Sequence, residues 1–141
     1  MDLDLIREGR VRTLYAIRMG DSAVEWLNDL RRSNPTELAR MIRRIEQLTD
    51  RGPSRRREEF NSLGDGLFEA KTSGGGRMIF FDDDGDIVIA TSAFAKKTQK
   101  TPKQVIDTAR SRRASYLQAK RQGVRFRLFT EDQPDPRRRP K

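Results

Sequence analysis

The sequence predicts one small α/β domain in which an antiparallel sheet packs on helices, followed by a basic C-terminal tail. The length of 141 residues suits a single hydrophobic core. Capping signals precede amphipathic stretches, and three short apolar runs are separated by turn residues. The expected order of elements is β-α-α-β-β-β-α. We divide the chain into an N-terminal extension (1–10), the domain (11–122) and a strand-like segment with a disordered basic tail (123–141).

The first strand and the first helix are predicted from local composition. Residues 11–19 are rich in β-forming side chains and partly alternate, which is typical of a strand. Ser22 and Glu25 then fit a capping box, with Ser22 as the N-cap. An apolar stripe at helical spacing follows and consists of Ala23, Val24, Trp26, Leu27 and Leu30.

A second helix is expected to begin at once. Asn34 can act as its N-cap, Pro35 suits the first helical position and Glu37 lies in its first turn. The apolar positions at helical spacing are Leu38, Met41, Ile42, Ile45 and Leu48. Residues 52–53 (Gly-Pro) end this helix. The short connection predicts a helical hairpin.

Three strands should form an antiparallel meander. The apolar runs are residues 67–71, 77–82 and 87–94, and their connections are residues 73–76 and 83–86. Both connections are short and rich in Gly, Ser or Asp, so they predict hairpins.

The third helix is predicted from another capping pattern. Thr101 fits an N-cap, Pro102 the first helical position and Gln104 the third, and Gly123 marks the end. One face should carry Val105, Ile106, Ala109, Tyr116 and Leu117. Residues 124–129 alternate and are expected to add a short strand, whereas residues 130–141 are expected to be disordered.

Charge is distributed unevenly along the chain. Residues 1–95 carry 15 basic and 17 acidic side chains, whereas residues 96–141 carry 15 basic and 4 acidic ones. This segregation predicts a polyanionic partner, for which we favour nucleic acid over an acidic protein or an anionic membrane.

Composition excludes several kinds of chemistry. The chain has no Cys and no His, which excludes disulfides, a thiol nucleophile and the usual zinc ligands. We therefore expect no metal and no cofactor. The N-terminus lacks the pattern of a signal peptide and no long apolar stretch is present, so we expect a cytoplasmic protein.

Three local patterns have simpler interpretations than a binding motif. Residues 82–86 (DDDGD) lack the first and last carboxylates of a calcium loop and read better as a hairpin turn. Residues 74–76 (GGG) lack the Lys-Ser/Thr of a P-loop. Residues 55–57 (RRR) read as a solvated loop, with RNA or partner contact as the alternative.

One set of motifs is distinctive. The segments are 68–71 (FEAK), 77–81 (RMIFF) and 92–103 (SAFAKKTQKTPK). Together they resemble the RelE/ParE superfamily of type II toxins, and most closely its HigB-like, phage-derived branch, over residues 63–113. Two positions depart from the family pattern. Lys71 stands where Arg is usual, and Ser92 stands where many relatives have His. A family mechanism that uses that His as the base would therefore lack it here.

The resemblance implies the RelE-like form of the fold predicted above and an mRNA-cleaving toxin that acts without metal, usually on the ribosome. In that chemistry a ribose 2′-OH attacks the adjacent phosphate, and clustered cations stabilise the charge that develops. We assign catalysis to Lys71, Arg77, Lys96 and Lys97, and RNA contact to Lys100, Lys103 and Glu69. Arg77 is expected to clamp the phosphate, and Lys71 to act as base with Glu69 as the alternative.

The implied partners are mRNA, the ribosome and a cognate antitoxin of the HigA-like helix-turn-helix kind. Two other functions stay open at this point. One is a ParE-like toxin that acts on a protein such as gyrase, and the other is an inactive, basic RNA-binding relative. Arg77 could also pair simply with the acidic turn at 82–86.

Overall fold

A seven-stranded sheet forms the centre of the computed structural model, which describes residues 1–96 and 101–130. Its strands are β1 (Asp2–Glu8), β2 (Thr13–Ile17), β3 (Phe60–Gly64), β4 (Leu67–Lys71), β5 (Gly76–Asp82), β6 (Ile87–Ala95) and β7 (Arg127–Phe129). The helices in the described part of the chain are α1 (Ala23–Ser33), α2 (Pro35–Asp50) and α3 (Lys103–Arg121). None of the three is long and apolar enough to cross a bilayer.

The sheet is mixed, with the strand order β3-β4-β5-β6-β2-β1-β7. Strands β3 to β6 form the predicted antiparallel meander with β3 added at its edge. Strand β2, however, lies parallel to β6, and β7 lies parallel to β1. The prediction of a purely antiparallel sheet is therefore wrong. The chain leaves β2 through α1 and α2 before it returns, and such long crossovers permit parallel pairing.

Two strands were not predicted as such. Strand β1 lies in the presumed N-terminal extension and pairs with β2 and β7, with Leu3 buried. Strand β3 lies between the run at 55–57 and the predicted strand at 67–71, in a segment to which we assigned no element. The predicted strand order is incomplete because charged side chains hide the alternation in β1, and because β3 is an edge strand held only by β4.

The helix starts test the capping predictions. The Ser22 hydroxyl accepts a hydrogen bond from the backbone N–H of Glu25 at 3.2 Å, and the Asn34 side chain accepts one from Glu37 at 3.2 Å. Both caps are confirmed. The third is wrong: Pro102 occupies the N-cap of α3, and no side chain among the described residues caps the start of this helix. The Thr101 hydroxyl instead donates to the Glu69 carboxylate at 2.6 Å.

The core has two layers, one on each side of the sheet. Helices α1 and α2 pack on one side, which we call the hairpin side. Helix α3 packs on the other, the α3 side. Strand β5 contributes to both, with Met78 and Phe80 toward the hairpin side and Ile79 and Phe81 toward the α3 side. This strand is buried along nearly its whole length and fixes the position of what it carries.

Candidate active site

The register of β4 and β5 brings the predicted site residues together. Lys71 lies directly opposite Arg77, and Arg77 lies opposite Phe94 of β6. Glu69 is two residues before Lys71 on β4 and therefore projects from the same face. Because Ile79 is opposite Glu69 and belongs to the core on the α3 side, that face is the α3 side of the sheet.

Arg77 is the most constrained of these side chains. It is only 9% exposed, and its Nη1 donates to the backbone carbonyls of Gly76 at 2.7 Å and Thr72 at 3.2 Å. Its Nε is buried and has no hydrogen-bond partner among the described residues. Such a buried N–H is uncommon, and Arg113 Nε on α3 is another guanidinium nitrogen in the same state.

Burial also alters the electrostatics of Arg77. Desolvation lowers the pKa of its guanidinium, and the carboxylates of Glu69 and Glu37 partly offset this effect. The guanidinium still stays protonated at neutral pH. The acidic turn at 82–86 contributes nothing to Arg77, so the simple pairing considered above does not occur: Asp83 instead accepts hydrogen bonds from Tyr116 and Lys120.

Glu37 of α2 lies beneath the turn that leads into β5. It is 3% exposed, and its carboxylate accepts a hydrogen bond from the Thr72 hydroxyl. That hydroxyl in turn accepts from the backbone N–H of Gly76 at 2.9 Å. Glu37 therefore holds the same two residues whose carbonyls hold Arg77. The sequence alone places Glu37 only in the first helical turn, because nothing local shows that residues 35 positions apart meet.

The glycines of the β4–β5 turn make room for this carboxylate. A Cβ on Gly76 would lie 2.5 Å from Glu37 Oε1 and 3.2 Å from the ring of Trp26, and one on Gly74 would collide with Glu37 Oε2. Gly75 has φ +93°, a conformation that favours glycine. The run at 74–76, which is not a P-loop, thus serves close packing around a buried acid.

Glu69 is the second carboxylate in the group formed by Glu37, Glu69, Lys71, Arg77 and Lys96, which we call the cluster. It is 3% exposed and accepts hydrogen bonds from Thr101 at 2.6 Å and from the Asn61 side chain at 3.4 Å. The bond to Thr101 brings the start of α3 against β4. Thr101, wrongly predicted as the N-cap of α3, is therefore part of the site, because its hydroxyl orients the Glu69 carboxylate beside Arg77.

Lys96 joins the cluster at the end of β6. Its backbone N–H donates to the carbonyl of Gly75 at 2.7 Å, which ties it to the β4–β5 turn. Burial and the nearby charge of Arg77 lower the pKa of its ammonium group, Lys71 adds to this and Glu69 opposes it. Arg77 therefore interacts electrostatically with Glu69, Glu37 and Lys96, and Lys96 interacts with Glu69 and Lys71 as well.

The remaining predicted residues lie elsewhere or outside the description. Lys97 and Lys100 fall outside the described residues, as do positions 131–141 of the expected disordered tail. Lys103 is exposed at the first position of α3, two residues after Thr101. Ser92 is buried, and its hydroxyl donates to the Thr91 hydroxyl at 3.4 Å.

Within residues 1–96 and 101–130, no group of His, Cys, Asp or Glu side chains is arranged to hold a metal ion. What the cluster can do chemically is bind an anion. The guanidinium of Arg77 and the ammonium groups of Lys71 and Lys96 lie near one another, and preorganised positive charge of this kind binds phosphate oxygens.

The comparison with protein families matches this region of the chain. The family model described as Phage derived protein Gp49-like (DUF891) matches residues 25–114, from α1 into α3, and includes the whole cluster that the structure describes. A comparison with curated proteins found no match. Since the family model covers 90 of the 141 residues, the chain belongs to the Gp49-like family of phage-derived, toxin-like proteins.

Proposed function

We propose that this protein is the toxin of a type II toxin–antitoxin pair and acts as a metal-independent endoribonuclease on mRNA, with translation as its target. Membership of the Gp49-like family supports a toxin-like function. The observation that carries the nuclease proposal is Arg77: a buried guanidinium whose Nε has no partner in the described part of the chain, directly opposite Lys71. Like charges opposed across strands destabilise a sheet, so an arrangement of this kind suggests a functional reason.

The reaction proposed is attack of a ribose 2′-oxygen on the adjacent phosphorus. The P–O5′ bond breaks, which leaves a 2′,3′-cyclic phosphate on one fragment and a 5′-hydroxyl on the other. A base must remove the 2′ proton, and an acid must protonate the leaving 5′-oxygen. Arg77 would stabilise the charge that develops on the non-bridging oxygens; because its Nε is buried, this contribution is electrostatic and needs no direct contact through that atom.

The proton transfers fall to the lysines in this proposal. The lowered pKa of Lys96 favours the neutral amine that a base requires, so we assign this role to Lys96. Lys71, predicted from the sequence as the base, is here proposed as the acid that protonates the leaving oxygen. Glu69, the alternative base, is less suited because its carboxylate is buried and already accepts from Thr101 and Asn61.

The partners proposed are mRNA bound to the ribosome and a cognate HigA-like helix-turn-helix antitoxin. The basic segment 96–141, with 15 basic and 4 acidic residues, supports a polyanionic target. Exposed Lys103 is proposed to hold RNA phosphate, and so are Lys97 and Lys100.

The test is cleavage of end-labelled mRNA by purified protein, with and without ribosomes. We expect Arg77→Ala to lower the cleavage rate by about 10²–10³-fold, as for loss of one preorganised donor. Arg43→Ala, an exposed arginine on α2, is the matched control and should cleave normally. Equal cleavage by wild type and Arg77→Ala would contradict the proposal. Growth arrest without RNA cuts, combined with inhibition of gyrase supercoiling, would favour a ParE-like target.

A further inference from the structure

A groove lies at the β3 edge of the sheet, away from the cluster. Its volume is about 430 Å³, and it runs between the segment that follows α2 and strands β3 and β4. We call it the β3-edge groove and define it by Arg55, Arg57, Phe60, Asn61, Phe68 and Asp82. This volume is within the range of small-molecule sites, about 300–1,000 Å³, and is too small for a folded partner.

The three consecutive arginines at 55–57 are not equivalent. Arg56 pairs with Glu58 at 2.9 Å and does not line the groove. Arg55 and Arg57 line it, are exposed, and form no side-chain hydrogen bond or ion pair within the described part of the chain. The two arginines whose charge is not paired there are thus the two that face the groove, where one carboxylate, Asp82, opposes them.

The wall contributed by β4 is aromatic. Phe68 stacks on Phe80 with ring centroids 5.8 Å apart, but it is only partly buried. The part of the ring that the core leaves uncovered lines the groove beside Phe60. Cations next to an open aromatic surface suit a nucleotide, because the base stacks on the ring and the phosphate binds the arginines.

The groove and the cluster share strand β4 and are close along the chain. Phe68 projects to the hairpin side, whereas its neighbour Glu69 projects to the α3 side. The backbone N–H of Lys71 donates to the carbonyl of Glu59 at 2.8 Å, so the segment carrying the arginines reaches the β3 edge beside the cluster. Phe68 and Lys71 are three residues, or about 10 Å, apart along β4, so an RNA strand that reaches both sites passes around the β3 edge of the sheet.

We propose that the β3-edge groove binds a nucleotide of single-stranded RNA that flanks the cleaved phosphate, with its base on Phe68 and its phosphate on Arg55 and Arg57. This inference rests on the proposed RNA cleavage. It adds a binding site on the opposite face of the sheet from the reacting atoms.

The experiment measures binding of a fluorescein-labelled, fully 2′-O-methylated 12-nucleotide RNA by anisotropy. This probe lacks the 2′-OH nucleophile and stays intact. We expect Arg55→Ala/Arg57→Ala to weaken binding about tenfold, and the slope of log K against log salt to become shallower by about 0.7, the change for the one phosphate that the variant no longer neutralises. Arg56→Ala is the matched control and should keep both values. Phe68→Leu, which retains a large apolar side chain, should also weaken binding about tenfold.

Each outcome bears on the inference. If the double variant keeps the affinity and slope of the wild type, or if Arg56→Ala weakens binding equally, the groove is not a nucleotide site. The cleavage assay separates the two proposals: a wild type that cuts RNA while the double variant binds normally refutes the groove alone. A wild type that neither cuts nor binds RNA refutes both. Fluorescence of Trp26, the only tryptophan in the chain, verifies folding of every variant.

Discussion

Replacing Glu37 tests whether the turn that holds Arg77 depends on the buried acid beneath it. Glu37→Ala removes the acceptor of the Thr72 hydroxyl and leaves a cavity below Gly74 and Gly76. A hydrogen bond to a charged group contributes about 1.5–3 kcal/mol, and the cavity adds to the destabilisation. We therefore expect a destabilisation of about 3 kcal/mol, a large share of the roughly 5–15 kcal/mol typical of a domain.

Glu37→Gln keeps the shape of the side chain and removes its charge. The amide oxygen can still accept from Thr72, so the destabilisation should be only about 1 kcal/mol, the value of a neutral hydrogen bond. Glu46→Ala changes the same residue type at an exposed position of the same helix and should stay within about 0.5 kcal/mol of wild type. RNA cleavage should fall at least tenfold in Glu37→Ala, because the carbonyls that fix Arg77 Nη1 lose their support, and Glu37→Gln should restore most of it.

The assay is guanidinium unfolding followed by Trp26 fluorescence. Trp26 is a local reporter, since its ring would lie 3.2 Å from a Cβ on Gly76. With an m value of about 3 kcal/mol per M, the midpoint of Glu37→Ala should fall by about 1 M. If Glu37→Ala unfolds at the same guanidinium concentration as Glu46→Ala, the argument that Glu37 supports the turn is refuted.

Two further outcomes follow from the charges. Lys71→Met removes a cation opposite Arg77 but keeps an apolar side chain. The free energy of unfolding should therefore rise by about 0.5 kcal/mol, while RNA cleavage falls at least tenfold. A lower free energy of unfolding would count against the argument that the opposed charges destabilise the sheet. Burial alone raises the pKa of the Asp83 carboxyl, but hydrogen bonds from Lys120 and Tyr116 outweigh it and hold that pKa below its usual range. The stability that Asp83 contributes is therefore present above the unfolded pKa of about 3.9 and lost as pH falls through the lower folded value. Asp83→Asn should cost about 2 kcal/mol at pH 7 and much less at pH 2 in guanidinium titrations; a difference that does not shrink in acid would contradict this.

Local signals predicted the helices well. The caps at Ser22 and Asn34 act within three residues of the N–H groups they bind, so the sequence contains all that is needed to find them. The Thr101 pattern looked equally good and was wrong, because a buried carboxylate from another element competed for its hydroxyl. A cap can be predicted only when nothing distant needs the same side chain.

Strand pairing was harder to predict than the helices, because it also depends on residues that are distant in the sequence. The meander from β4 to β6 follows from short turns, whereas the parallel pairing of β2 with β6 joins segments about 70 residues apart, such as Leu14 and Val88. Likewise, the motif residues Lys71 and Arg77 were identifiable, but their common face depended on the register across the glycine-rich turn. Glu37 carried no such signal, because a glutamate near a helix start has an ordinary local explanation.

The cluster combines several features that lower stability. Two cations oppose each other across a strand pair, a guanidinium is buried with an Nε that no described residue partners, and a carboxylate lies beneath a turn that only glycines permit. Strand β5 can hold them because it is packed on both faces, with Phe80 on one side and Phe81 on the other. Arg77 is therefore fixed before any ligand arrives, so little rearrangement is needed when negative charge develops beside it. That difference from a flexible surface arginine is what makes Arg77 the residue on which the proposed cleavage depends.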